Sequence, residues 1–279
     1  YELFEMYHMD ENTRKTIMTR GRNNALIRKF NDPEGQSLFL NKEKFNVLFH
    51  DLLKRDFLIL GQDEQELKEF IKDKKEIMAK PSNGSCGKGI EKITVSDYPN
   101  LFDYLKEKDF RLLEEVIVQH PKMNQLCPTS VNTIRTITLR INQKTKVVAA
   151  YLRIGNGRIV DNFNSGGMVV PVDIKTGKIH DVAVDKRGNV YKTHPLTNTS
   201  IVGFQIPEWK KVLSLVEDAS TRVPNVGIVG WDVAISEKGP LIIEGNEFPG
   251  HDIYQLPPHR KNKSDMYPVF EEAMQPLSK

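Results

Sequence analysis

The stretch that most constrains this chain is Gly230-Trp231-Asp232-Val233-Ala234-Ile235-Ser236-Glu237-Lys238-Gly239-Pro240-Leu241-Ile242-Ile243-Glu244-Gly245-Asn246. Two apolar runs flank Glu237-Lys238-Gly239, a pattern that predicts two strands joined by a tight turn. With a three-residue loop and Gly239 in the left-handed conformation, Ser236 pairs with Pro240. Counted back along the ladder, Asp232 then faces Glu244, and Asn246, two residues on, projects from the same face. Two opposed carboxylates repel each other by up to about 1 kcal/mol unless something positive lies between them. Oxygen-only ligands suit Mg²⁺, so Asp232, Glu244 and Asn246 are the candidate metal ligands. The competing arrangement is an ordinary hairpin with its acidic residues in water, which the apolar Val233, Ile235, Ile242 and Ile243 disfavour. Pro240 donates no ladder hydrogen bond, leaving the register free to slip beside the loop.

A second stretch, Lys80-Pro81-Ser82-Asn83-Gly84-Ser85-Cys86-Gly87-Lys88-Gly89-Ile90, is rich in small residues and carries two lysines. Small residues let backbone N–H groups approach phosphate oxygens, so a phosphate cradle is expected. It is not a Walker loop, because Ser82 and Gly89 stand where Gly and Ser or Thr are needed, and the dinucleotide spacing G-x-G-x-x-G also fails. A protein-kinase loop is disfavoured as well, since no HRD or DFG sequence follows and the lysine precedes the loop. A Gly-rich turn with solvated lysines accounts for the same residues.

The charge balance excludes other classes. Lys+Arg 40 against Asp+Glu 37 gives a formal +3, too little for attraction to nucleic-acid backbones or membrane surfaces to dominate. Apolar runs such as 226–235 reach about half the roughly 20 residues of a membrane span. The two cysteines, Cys86 and Cys127, form neither a disulfide framework nor a zinc-spaced cluster, and a reducing cytoplasmic setting is expected.

Residues 1–60 read as a helical segment, with Phe45, Leu48, Phe49, Leu52 and Leu53 spaced by three and four to build one apolar stripe. Residues 61–120 read as a compact α+β unit: a helix starting at Asp63 with Leu67, Phe70 and Ile71 inward, a strand at 77–79, a strand near 93–95, a helix opening at Asp97-Tyr98-Pro99, and a strand over 112–118. Residues 121–279 read as a mainly antiparallel sheet with strands at 134–141, 147–154, 168–174, 226–235 and 241–243 and a helix at 208–216. The fold class expected is α+β.

With a strand lysine before a small-residue loop, an acidic strand end at Glu114-Glu115-Val116-Ile117, and an Asp followed by Glu-x-Asn, the chain resembles the ATP-grasp superfamily. It is most similar to the sugar-transfer-associated group found among polysaccharide-biosynthesis proteins, over about residues 41–252. The resemblance implies two α+β subdomains holding ATP between them, with the small helical N-terminal piece alongside. It implies that Lys42, at a helix entry, and Lys80 reach ATP phosphates, that Ser85, Cys86, Gly87 and Lys88 belong to the loop closing over them, and that Glu114, Glu115 and Ile117 form the strand meeting adenine. Asp232, Glu244 and Asn246 match the metal triad. Arg135 lies in an apolar strand, where an unpaired guanidinium is costly, so a phosphoryl-binding role is expected. Asn164, Gly166 and Gly167 resemble the acceptor region, although they are also common turn residues. His251 and Asp252 follow the metal strand and are candidate pocket residues. Gly230 stands where many amide-forming members carry an arginine; Arg135, Arg153 or Arg158 could take its place.

The activity this resemblance implies is an ATP-dependent, ADP-forming carboxylate–amine ligase working through an acyl phosphate. ATP and Mg²⁺ are its cofactors, and its partners are a small carboxylate and an amine, one of them a sugar acid or amino sugar. A phosphotransferase using the same ATP and magnesium sites, and a nucleotide-binding module without turnover, are the competing readings.

Overall fold

A computed structural model describes residues 5–81, 89–157, 161–260 and 266–275. Along the chain these form helices α1 (Glu11–Thr16), α2 (Arg20–Phe30), α3 (Pro33–Leu40), α4 (Lys42–Leu48) and α5 (His50–Leu53), then strand β1 (Phe57–Ile59), α6 (Glu64–Ile71), β2 (Glu76–Lys80), β3 (Glu91–Thr94), α7 (Leu101–Glu107) and β4 (Leu112–Glu115). There follow α8 (Pro121–Asn124), β5 (Ile134–Ile141), β6 (Lys144–Ile154), β7 (Met168–Pro171), β8 (Ala183–Asp185), β9 (Val190–Tyr191), α9 (Trp209–Arg222), β10 (Ile228–Ser236), β11 (Gly239–Asn246) and α10 (Met266–Met274). The chain is α+β and divides into two compact units, Ser37–Val118 on one hand and Tyr1–Gln36 with Gln119–Lys279 on the other.

The smaller unit is built on a four-stranded antiparallel sheet of order β1-β4-β2-β3. Its core joins Leu67 of α6 and Leu101 and Leu105 of α7 to Ile77, Ala79, Ile93 and Leu113 of the sheet. Local signals set its helices. The side chains of Asn41 and Asp63 accept hydrogen bonds from Lys44 N–H and Gln65 N–H, satisfying donors at the starts of α4 and α6. The apolar stripe at 45–53 is buried at Phe45, Phe49, Leu52 and Leu53, but it runs over two short helices with a break at Phe49. The strand expected over 112–118 stops at Glu115, because β1 and β2 offer it partners only as far as Glu114 and Glu115.

In the larger unit a seven-stranded antiparallel sheet has the order β11-β10-β5-β6-β7-β8-β9. Helix α9 lies against β5, β6, β10 and β11, and its inward residues Trp209, Val212, Leu215, Val216 and Ala219 extend the expected helix to Arg222. Below the central strands, Ile137, Leu139, Tyr151, Val169 and Ile228 pack with Leu26, Ile253, Tyr254 and Phe270. Trp231 is fully buried, its indole N–H bonded to Thr138 Oγ1 at 2.9 Å.

The hairpin corrects the expected turn and keeps the expected site register. Gly239 has φ 98°, the left-handed value that a glycine bulge at a hairpin turn requires. Its Cα partner is Ser236, with Pro240 facing Ile235, so the ladder beside the turn is one residue out from the expected pairing. A bulge between Asp232 and Val233, opposite Ile243, takes up that residue, and beyond it Asp232 faces Glu244 and Gly230 faces Asn246.

Segment 247–255 after β11 is fastened from the N-terminal side. Gln255 accepts from Met18 N–H at 2.9 Å and donates to Met18 C=O at 2.7 Å. Asn23 Nδ2 donates to Pro249 C=O at 3.1 Å, and Asn31 Nδ2 to Glu247 C=O at 2.6 Å.

Candidate functional site

Two charged constellations stand out, one in each unit. The larger unit places the first on one face of its sheet. Asp232 of β10 pairs with Arg135 of β5 on one side and Glu244 of β11 on the other. Arg135 is opposite Tyr151 of β6, and Arg153 is two residues on, where alternation returns a side chain to the same face. Arg135 grips Asp232 through two bonds, Nε to Oδ1 at 2.5 Å and Nη2 to Oδ2 at 2.8 Å. Arg153 Nη1 adds a third bond to Oδ2 at 3.0 Å. Burial alone would push the Asp232 carboxyl up; the guanidinium groups of Arg135 and Arg153 override it and hold it well below the usual carboxylate range.

Glu244, in contrast, is exposed and comes within hydrogen-bonding reach of Asp232. Asn246 is half-buried, its side-chain oxygen accepting Phe248 N–H at 2.9 Å. The positive charge expected between Asp232 and Glu244 is thus supplied in part by Arg135 and Arg153. The donor set still fits a hard divalent cation: Asp232 Oδ1 accepts from Arg135 Nε with one lone pair, Glu244 presents a carboxylate, and Asn246 adds an amide oxygen. Among the described residues no group of three His, Cys, Asp or Glu side chains is gathered for a metal, so the amide would be the third ligand.

Around this core lie groups that sequence reasoning either weighed differently or missed. Asp161 is buried and accepts both Thr133 N–H at 2.7 Å and Thr133 Oγ1–H at 2.5 Å. Burial raises its carboxyl, against the opposing pull of Arg153. Tyr254 is buried, and its hydroxyl has no hydrogen-bond partner among the described residues. Burial also raises this phenol, Arg135 opposing and Asp252 reinforcing the shift. Nothing in the local pattern around Tyr254 distinguishes it from a core aromatic.

The glycine at position 230 has a steric explanation. A Cβ there would come 3.0 Å from Pro249 Cβ and 3.1 Å from Arg135 Cδ, so the stem of Arg135 occupies the space a side chain would need. Arg158 lies outside the described residues.

The turn carrying Asn164, Gly166 and Gly167 closes on itself: Asn162 Oδ1 accepts Asn164 N–H, and Asn162 C=O accepts the N–H groups of Ser165 and Gly167. Gly166 has φ 96°, and a Cβ on Gly167 would lie 2.2 Å from Asp161 C=O. The left-handed backbone at Gly166 and close packing at Gly167 therefore account for the two glycines, while Asn164 is exposed. His251 is half-buried just before the short turn Asp252–Tyr254. Burial lowers its imidazole, with Arg20 acting in the same direction and Asp252 against it.

The smaller unit holds the second constellation. Glu114 of β4 faces Met78 of β2, which makes Lys80 its diagonal neighbour on the same face. Lys80 Nζ donates to Glu114 Oε2 at 2.6 Å. Arg55 Nε and Nη2 reach the same oxygen at 3.1 and 3.0 Å, and Nη2 reaches Oε1 at 3.0 Å. Asn46 Nδ2 completes the set on Oε1 at 2.8 Å. Burial would raise Glu114, but Lys80 and Arg55 drive its carboxyl far below the ordinary range. Asn46 and Arg55 carried no sequence signal, being an unremarkable helix amide and a loop arginine until the fold brings them to Glu114.

Glu115 is tied to Asp56, donating its N–H to Asp56 C=O and accepting Asp56 N–H on its carboxylate. Ile117 follows β4 and is half-buried, and Lys42 opens α4. Ser85, Cys86, Gly87 and Lys88 lie outside the described residues.

Similarity to known proteins accords with this architecture. The L-amino acid ligase from Bacillus licheniformis superposes with a TM-score of 0.53 at 13% identity, over 88% of this chain and 50% of that one. D-alanyl-alanine synthetase A from Vibrio cholerae gives 0.48 at 15% identity, over 88% and 63%. The D-alanine–D-alanine ligase from Helicobacter pylori gives 0.48 at 13%, over 84% and 60%. The chain spans less than two thirds of the length of each of these proteins. No curated protein sequence matches it significantly. The architecture is that of the ATP-grasp fold. Residues 21–264 match the sugar-transfer associated ATP-grasp family, and the chain belongs to that family.

Proposed function

We propose that this protein is an ATP-dependent, ADP-forming ligase that joins a carboxylate to an amine through an acyl phosphate, one substrate being a sugar acid or amino sugar used in polysaccharide biosynthesis. The observation that carries the reading is the buried Arg135–Asp232–Arg153 cluster beside Glu244 and Asn246 in a member of this family. It joins cationic donors for an oxyanion to an oxygen-only cation site on one sheet face.

In the first step a carboxylate oxygen attacks the γ-phosphorus of ATP, the bond to the bridging oxygen breaks, and ADP leaves. In the second, the amine nitrogen attacks the acyl carbon, phosphate departs, and the nitrogen gives up a proton. Arg135 and Arg153 stabilise the negative oxygens of the group in transit, their orientation fixed beforehand by Asp232. Lys80 binds phosphate oxygens of the nucleotide, with Lys42 and the loop residues Ser85, Cys86, Gly87 and Lys88 serving the same end. Ile117, just past the end of β4, meets adenine through its backbone, whereas the backbone of Glu114 is paired within the sheet and the Glu115 N–H is taken by Asp56; Asn164, Gly166, Gly167, His251 and Asp252 contribute to acceptor binding. Asp232, Glu244 and Asn246 would hold a magnesium ion, which would supply charge neutralisation on the phosphates.

The test is magnesium-dependent ADP release over a panel of uronic acids and amino acids, with hydroxylamine present to trap an acyl phosphate. Carboxylate-dependent hydroxamate is the expected product. ADP release driven by a hydroxyl-bearing sugar without hydroxamate would replace the ligase with a phosphotransferase.

A further inference from the structure

We propose that Arg55, a residue too deeply buried to touch a ligand, controls nucleotide affinity by cancelling the charge of Glu114, so that Lys80 presents the one surplus positive charge of the cluster to the phosphates. The inference deepens the reading of Lys80 as a phosphate ligand and rests on it.

The argument begins with acceptor capacity. An ionised carboxylate offers about four lone-pair positions. Asn46, the two-pronged Arg55 fork and Lys80 together use them fully. Arg55 and Glu114 are sealed in, with side chains 2% and 4% exposed, whereas the Lys80 side chain is 11% exposed. A bidentate guanidinium is the stronger and more fixed partner for a carboxylate. Glu114 thus has its counter-charge without Lys80, and it engages one of the three N–H donors of the ammonium. The cluster holds two cations against one anion. Without Arg55 the same carboxylate would have Lys80 as its only cation among these partners, and a phosphate would compete with it for the ammonium.

Binding of ADP with Mg²⁺, followed by titration calorimetry, tests this on four proteins besides the wild type, each checked for folding by circular dichroism. Lys80→Met sets the floor. Arg55→Met, with no net charge in the cluster, should weaken binding by about ten- to a hundredfold, the scale of one charged hydrogen bond. Arg55→Met combined with Glu114→Gln restores the surplus charge and should return affinity to near wild type. Glu114→Gln alone should bind at least as tightly as wild type.

A purely structural role for Arg55 would leave the folded double variant as weak as Arg55→Met, and that result overturns the proposal. So does wild-type affinity in Arg55→Met. If Arg55→Met fails to fold, the other two decide: loss of binding in both folded Glu114→Gln proteins overturns it, and retention supports it. A wild type that does not bind ADP, or a Lys80→Met protein that binds as well as wild type, would instead refute the assigned function of Lys80.

Discussion

Asp232→Asn is the perturbation for which the structure fixes the expected magnitude most closely. Asp232 receives three N–H donors, from Arg135 and Arg153, and the side chains of Asp232, Arg135 and Arg153 are 5%, 7% and 17% exposed. Removing one partner of a buried pair leaves an uncompensated buried charge and costs about 3–5 kcal/mol. Arg153 has some access to water, so most of the penalty falls on Arg135, and an overall loss of about 3–4 kcal/mol follows. That is a large part of a typical folding free energy of roughly 5–15 kcal/mol. Urea unfolding followed by tryptophan fluorescence measures it in the right place, because both tryptophans, Trp209 and Trp231, belong to the larger unit. Arg135→Met should cost a similar amount. The double variant should lose less than the sum of the two, by about 1–3 kcal/mol of coupling. A loss below about 1 kcal/mol in Asp232→Asn, or strict additivity with Arg135→Met, would show that the pair is not the buried unit described.

Glu244→Gln should separate stability from turnover: relief of repulsion with Asp232 leaves urea stability unchanged or raised by up to about 1 kcal/mol, while magnesium-dependent ADP release is lost. Asp161→Asn keeps an acceptor for Thr133 and removes a carboxylate whose folded-state affinity for protons is raised, so its melting temperature should equal or exceed wild type at pH 7.5. The sign of the linkage makes that difference shrink as pH falls and the wild-type carboxyl takes up its proton. Asp232 and Glu114 are shifted the opposite way, and their contribution to stability, present above the unfolded carboxylate range, should be lost as acid titration proceeds below about pH 4. Gly167→Ala places a methyl group against Asp161 C=O and should cost about 1–3 kcal/mol, read as a lowered urea midpoint.

Much of the larger sheet was legible because its signals are local and redundant. Apolar strands with polar turns identified β5, β6, β10 and β11, and pairing from the turn placed Asp232 against Glu244. The one-residue offset beside Gly239 was not legible, since Gly239 serves equally as a loop residue or as a paired bulge, and the compensating bulge at Ile243 has no sequence mark. Strands β8 and β9 were missed because they are short, and Asp185, which orders their turn through Arg187 and Asn189 N–H, resembles any loop acid. The two charged clusters show a different limit. Arg135 was conspicuous as a cation in an apolar strand, yet its partner lies 97 positions away in sequence. Arg55 and Glu114 are 59 apart. A sequence shows that such a charge needs a counterpart; only the fold selects which one.

The ties between Gln255 and Met18 and between Asn31 and Glu247 carry a consequence for synthesis. Their partners are separated by 237 and 216 residues. At roughly 5–20 residues per second, a ribosome takes on the order of ten to fifty seconds to make the second half of such a pair after the first. During that interval Met18 and Asn31 lack these hydrogen-bond partners, and the core that Met18 and Leu26 share with Ile137, Leu139 and Tyr151 lacks Ile253, Tyr254 and Phe270, which are made last. The larger unit is therefore one whose folding closes at its ends last, and its newborn chain depends on waiting without aggregating more than on collapsing early.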